Sequence, residues 1–138
     1  MSLSKSKKNF YLRSILAILA VGMISYLPSA HRWGFYRDDW HVLWGQNAIG
    51  FGNILLQHQI DRPLMGLVYM ATSRVLGNAP IAWALLSISV RLAGGIFAFL
   101  LLERMYSKAG WMNTLMAALF VTYPGFLQVP NGNSYHVH

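Results

Sequence analysis

Long apolar runs constrain this chain more than any other feature: residues 10–27, 81–102 and 111–127, the second broken only by Arg91. As a helix the first run rises about 27 Å, close to the ~30 Å hydrocarbon core of a bilayer. Runs of this length fit inside a soluble domain only if enough charged surface remains to cover them. Hydrophobic residues make up 55% of the 138 residues and charged residues 11%, against about 25% charged in an ordinary soluble domain. Lipid is therefore the natural solvent. The expected fold is all-α: a polytopic membrane protein with about three transmembrane helices and two juxtamembrane amphipathic helices in its first outer loop.

The net charge of +7 raises nucleic acid as a partner, because basic patches neutralise phosphates. Placement argues against it. Lys5, Lys7, Lys8 and Arg13 stand at the start of the first apolar run, the cytoplasmic flank of a first membrane helix. The other basic residues are scattered among aromatic and aliphatic ones, with no continuous stripe. The expected partners are membrane lipids, with no nucleic acid. A cleaved signal peptide is the rival reading of the first run, with Pro28-Ser29-Ala30 as its cleavage site. Proline stands where such sites carry a small residue, which favours an uncleaved helix. Without cysteine, neither a disulfide framework nor a thiolate metal site can form.

The expected order is a cytoplasmic tail (1–9), a first crossing (10–27), an outer loop with surface helices (28–79), a second crossing (80–102), a cytoplasmic loop (103–110), a third crossing (111–127) and the start of another outer loop (128–138). In the first outer loop Trp40, Leu43, Trp44, Ala48, Phe51, Ile54 and Leu55 recur at helical spacing, with His41, Gln46, Asn47, Asn53 and Gln57 opposite. This is the pattern of an amphipathic helix on a membrane surface. Gly45, Gly50 and Gly52 divide it into two short helices. The run from Arg62 to Leu76 spans only about 22 Å as a helix and carries charge at both ends, so it reads as another surface helix. That places Arg104 and Lys108 on the cytoplasmic side with the basic start.

The chain has four acidic residues, and two stand together at Asp38 and Asp39. Two readings stay open for the pair. One aspartate caps the helix that follows while the other pairs with Arg37 or Arg32. Alternatively, a carboxylate where water is scarce accepts a proton from a hydroxyl nucleophile or ligates a divalent cation. Arg91, inside an apolar run, either snorkels from a tilted helix or meets an anionic ligand. Arg62 and Arg74 flank a surface helix and suit lipid headgroups. His41, His58, His136 and His138 lack the spacing of a closed metal site, so no metal ligands are assigned.

Taken in order, the basic start, the outer-loop Asp38-Asp39, the surface helix, Arg62-Pro63-Leu64, Arg91, LLERMYSKAG and ALFVTYPGF resemble the N-terminal part of GT-C superfamily integral-membrane glycosyltransferases. Within that superfamily the pattern is similar to the protein O-mannosyltransferases and the lipid A aminoarabinose transferases. Asp38 and Asp39 match the acidic pair of that family's first outer loop, and Arg62-Pro63-Leu64 matches its PPL element. Arginine replaces the first proline here, and Asp39 replaces the more frequent glutamate. The resemblance implies a longer protein, of which this chain is an N-terminal fragment inactive alone. It implies transfer of a sugar from a polyprenyl-phosphate donor to an acceptor hydroxyl on the outer face of a bacterial plasma membrane. Asp38 and Asp39 would be catalytic, Asp38 as general base, and Arg91, Arg62 and Arg74 would bind the lipid phosphate. A divalent metal is compatible with the aspartates. The alternative is a non-catalytic membrane protein, either a lipid or polymer translocation component or a small assembly factor.

Overall fold

The computed structural model describes residues 5–35, 39–60 and 62–123. Among these residues the chain is all-helical, with no strand: α1 (Lys5–Ala30), α2 (Asp39–Ala48), α3 (Gly52–His58), α4 (Pro63–Leu76), α5 (Pro80–Met105) and α6 (Trp111–Thr122). Helices α1 and α5, 26 residues each, are long and apolar enough to cross a membrane. Helix α6 has 12 residues and rises about 18 Å, short of a ~30 Å hydrocarbon core. The third crossing expected over 111–127 is thus described as helix only to Thr122. Residues 124–127 and the loop 128–138 lie outside the described residues. Pro124 supplies the local cause, because a proline disfavours helical backbone at the residue before it. Tyr123 has left the helix at φ −57°, ψ 121°.

Helix α1 runs past the expected 10–27 at both ends. Pro28 lies inside it, in the last turn, where its fixed φ suits the helix and the missing N–H costs one hydrogen bond. Ser25 Oγ donates to the Val21 carbonyl at 2.8 Å and Ser29 Oγ to that of Tyr26 at 3.1 Å.

The described residues divide into two compact units, residues 5–29 with 88–123, and the described part of 30–87. In the first, Phe10 meets Phe99 while Gly22 faces Leu92, so α1 and α5 run antiparallel. Gly95 faces Val121 and Glu103 meets Asn113, which makes α6 antiparallel to α5 as well. Ile18, Phe99, Ala117 and Val121 form the buried core, flanked by Phe10, Tyr11, Ile15, Tyr26, Leu92 and Leu100. Polar groups are also inside: Thr114 Oγ1 donates to Ser14 Oγ at 2.9 Å, both residues buried. Outside are Leu12, Leu16, Ile24, Phe97, Leu101 and Leu119. Only 17% of the most apolar window of α1 and 22% of that of α5 is buried. The core helix of a soluble protein would be mostly buried; this outer surface suits hydrocarbon.

In the second unit Val42, Ile54 and Tyr69 form a small core, with Phe51, Met65 and Met70 packed against it. Between α2 and α3 the chain turns at Gly50, whose φ of 111° is costly for any residue with a Cβ. Pro63 occupies the first turn of α4, where its missing N–H would be unpaired anyway. At the other end Gly77 takes φ 55° and its N–H donates to the Ser73 carbonyl. Trp83, fully buried, donates from Nε1 to the Gly77 carbonyl at 2.9 Å.

The face of α2 read as its apolar side is divided: Leu43 turns inward with Asp39, Val42, Gly45 and Gln46. Trp40 and Trp44 point outward, 59% and 63% exposed. The two indoles lie outside the small core of Val42, Ile54 and Tyr69, and exposed indoles of this kind suit a bilayer interface.

Candidate functional site

Asp39 opens α2 and is fully buried. At that position the backbone N–H groups and the helix dipole stabilise a carboxylate. Its neighbour Asp38, and Asp61, lie outside the described residues. The burial of Asp39 follows from the register of α2, which sets residues 39, 42, 43 and 46 on its inner side.

Arg62 is exposed at the head of α4, with φ −145° and ψ 68°. Its N–H donates to the His58 carbonyl at 2.9 Å, and its own carbonyl accepts from Met65 at 2.9 Å. Arg74 is exposed in the last turn of α4, its guanidinium 5.6 Å from the Phe51 ring centroid. The two arginines stand at opposite ends of α4, about 18 Å apart along the axis. The structure does not bring them together at one site. Asp39, Arg62 and Arg74 belong to the second unit and Arg91 to the first.

Arg91 does something that neither of its sequence readings contained. Its Nε donates to the Val121 carbonyl at 3.2 Å, and its Nη2 donates to the Phe120 carbonyl. The guanidinium also lies over the Phe120 ring, 4.5 Å from the centroid. Phe120 and Val121 are in the last turn of α6, where carbonyls lack partners within the helix and the dipole favours a cation. Tyr26 Oη donates to the same Val121 carbonyl at 2.5 Å. An arginine and a tyrosine from two helices thus cap a third.

Sequence reasoning also missed Glu103 and Asn113. Both are buried, and Asn113 Nδ2 donates to Glu103 Oε1 at 2.6 Å and to the Tyr106 carbonyl at 2.9 Å. The available signal was a lone glutamate closing an apolar helix, read only as part of a cytoplasmic loop. A carboxamide group recurs in the second unit, where Gln46 Nε2 donates to Asn78 Oδ1 at 2.9 Å. Among the described residues no group of three or more His, Asp or Glu side chains is placed to hold a metal ion.

By fold the chain is an all-helical protein with two membrane-length apolar helices. It matches no protein-family model, no curated protein and no solved structure.

Proposed function

We propose that the chain is an integral membrane protein of a bacterial plasma membrane, with the start of α1 in the cytoplasm. Its outer-loop aspartates serve sugar transfer from a polyprenyl-phosphate donor to an acceptor hydroxyl. The observation that supports this best is a carboxylate, Asp39, fully buried at the head of a helix whose next residues include the exposed Trp40 and Trp44. Tryptophans of that kind favour the headgroup level, where a lipid-borne phosphate is also found. In this reading Asp38 takes the proton of the acceptor hydroxyl as the oxygen attacks the anomeric carbon. The bond from that carbon to the phosphate oxygen breaks, and the polyprenyl phosphate departs. General-base help of this type contributes about 10²–10⁴-fold in rate. Asp39 fixes the backbone that presents Asp38, and Arg62 and Arg74 meet separate headgroups. Arg91, engaged at the end of α6, supports the bundle.

The competing reading is a non-catalytic membrane protein, and the place of Asp39 at the start of α2 and the hydrogen bonds of Arg91 to the end of α6 favour it. Transfer of labelled sugar from a polyprenyl phosphate, by membranes expressing the complete reading frame, separates the two. Asp38→Asn should abolish transfer while the protein still accumulates in the membrane. Turnover at the parent rate removes the general-base role. Because the chain has no cysteine, Trp40→Cys can be labelled with an impermeant maleimide; protection from outside would put the aspartates on the wrong face.

A further inference from the structure

A different polar site lies in the first unit, where α1 begins and α5 ends. A cavity of about 390 Å³ is lined there by Ser6, Lys7, Phe10, Glu103, Ser107 and Gly110, within the ~300–1,000 Å³ range of small-molecule sites. Its lining carries both signs of charge. Glu103 is only 5% exposed, and Asn113 Nδ2 fixes one carboxylate oxygen at 2.6 Å. Among the described residues no cationic side chain pairs with it. A neutral amide orients a buried carboxylate but does not offset its charge. Lys7 also lines the cavity, with its ammonium 5.9 Å from the Tyr11 ring centroid, and Ser6 and Ser107 complete its polar lining. Phe10 forms an apolar wall, its ring edge-on to Trp111 with centroids 5.4 Å apart.

A simple anion placed here would meet the Glu103 carboxylate, and a simple cation would meet Lys7. A ligand carrying both charges a few bonds apart satisfies both ends. We infer that the cavity binds a phosphoethanolamine ester, with its primary ammonium on Glu103 and its phosphate on Lys7 and the two serines. The source we assign is phosphatidylethanolamine, because the cavity lies at the ends of two membrane-length helices, where headgroups are found. That source rests on the membrane reading and is independent of sugar transfer.

The purified full chain, delipidated in detergent, can be titrated with phosphatidylethanolamine, phosphatidylglycerol and phosphatidylcholine and read by native mass spectrometry. Phosphatidylethanolamine should be retained about tenfold or more over the other two, one lacking the ammonium and the other its N–H donors. Glu103→Gln keeps the side-chain shape and an acceptor for Asn113, and should weaken phosphatidylethanolamine about 10–100-fold, the worth of one charge-assisted hydrogen bond. Lys7→Gln, at an exposed position, should weaken phosphatidylethanolamine and phosphatidylglycerol alike, and it serves if Glu103→Gln does not fold. Equal retention of the three lipids by the parent protein, or an unchanged preference in a folded Glu103→Gln, overturns the inference. Displacement of the lipid by soluble glycerophosphoethanolamine at matched concentration keeps the ligand chemistry but overturns the lipid source.

Discussion

Replacing Arg91 by methionine sets two energies of opposite sign against each other. A charged arginine within an apolar helix costs at least ~2.5 kcal/mol by insertion scales, and methionine removes that cost. Against it stand the hydrogen bonds from Nε and Nη2 to the Val121 and Phe120 carbonyls and the position over the Phe120 ring. Hydrogen bonds from a charged donor contribute about 1.5–3 kcal/mol each, and a partly shielded cation–π contact about 0.5–2 kcal/mol. These contributions overlap, so a gross loss of about 4–5 kcal/mol is reasonable, leaving a net destabilisation of about 2 kcal/mol. Arg91→Lys should fall between parent and methionine, because a point charge cannot reach two carbonyls with the fork of a guanidinium. Tyr26→Phe removes the other donor to the Val121 carbonyl, so the Arg91→Met, Tyr26→Phe pair should be non-additive by at least ~0.5 kcal/mol. Reversible unfolding in mixed micelles, followed by tryptophan fluorescence and far-ultraviolet circular dichroism, measures the parent and all four variants. If Arg91→Met is as stable as the parent or more so, the arginine does not hold α6 and the capping argument is refuted.

Gly95 lets α5 approach α6 so closely that an added Cβ would sit well inside van der Waals contact with Val121 Cγ2, and 3.3 Å from Ile18 Cγ2. Gly95→Ala gains up to ~1 kcal/mol in helix propensity but overpacks against a β-branched side chain that cannot rotate away, costing about 1–3 kcal/mol; a net loss of about 1 kcal/mol is expected in the same unfolding assay. Ser73 Oγ is buried without a hydrogen-bond partner among the described residues, so Ser73→Ala should be neutral or stabilising by up to ~1 kcal/mol. A clear loss there would reveal a hydroxyl in use. In a variant whose one tryptophan is Trp44, lipids brominated near the headgroup should quench its fluorescence more than lipids brominated deep in the chain. Full quenching by aqueous iodide would place α2 away from the bilayer.

Helices α1 and α5 were legible because their apolar runs exceed what a short chain with few charges can hide. The break between α2 and α3 was legible in Gly50, and the ends of α4 in Pro63 and Gly77. The facing of α2 was not. Apolar spacing does not say which apolar residues turn toward the protein core: Leu43 is buried, whereas Trp40 and Trp44 project outward. The end of α6 was written in Pro124, but apolar residues on both sides of it masked the stop. Of the candidate site, the sequence located Asp39 at a helix start, yet it could not show that Arg91 would be engaged by α6. Contacts such as Ser14 with Thr114, 100 positions apart, exist only once three helices are packed.

The polar contacts between α1 and α6 fall at two levels. Ser14 is bonded to Thr114, and Tyr26 to the Val121 carbonyl further along both helices. Like a pair of bolts through one hinge plate, they hold these helices in a single register. A piston stroke of α1 by one helical turn, about 5.4 Å, would shear both at once. Losing both contacts costs about 1–3 kcal/mol, so motions that carry α1 and α6 together are favoured over motions that slide one along the other.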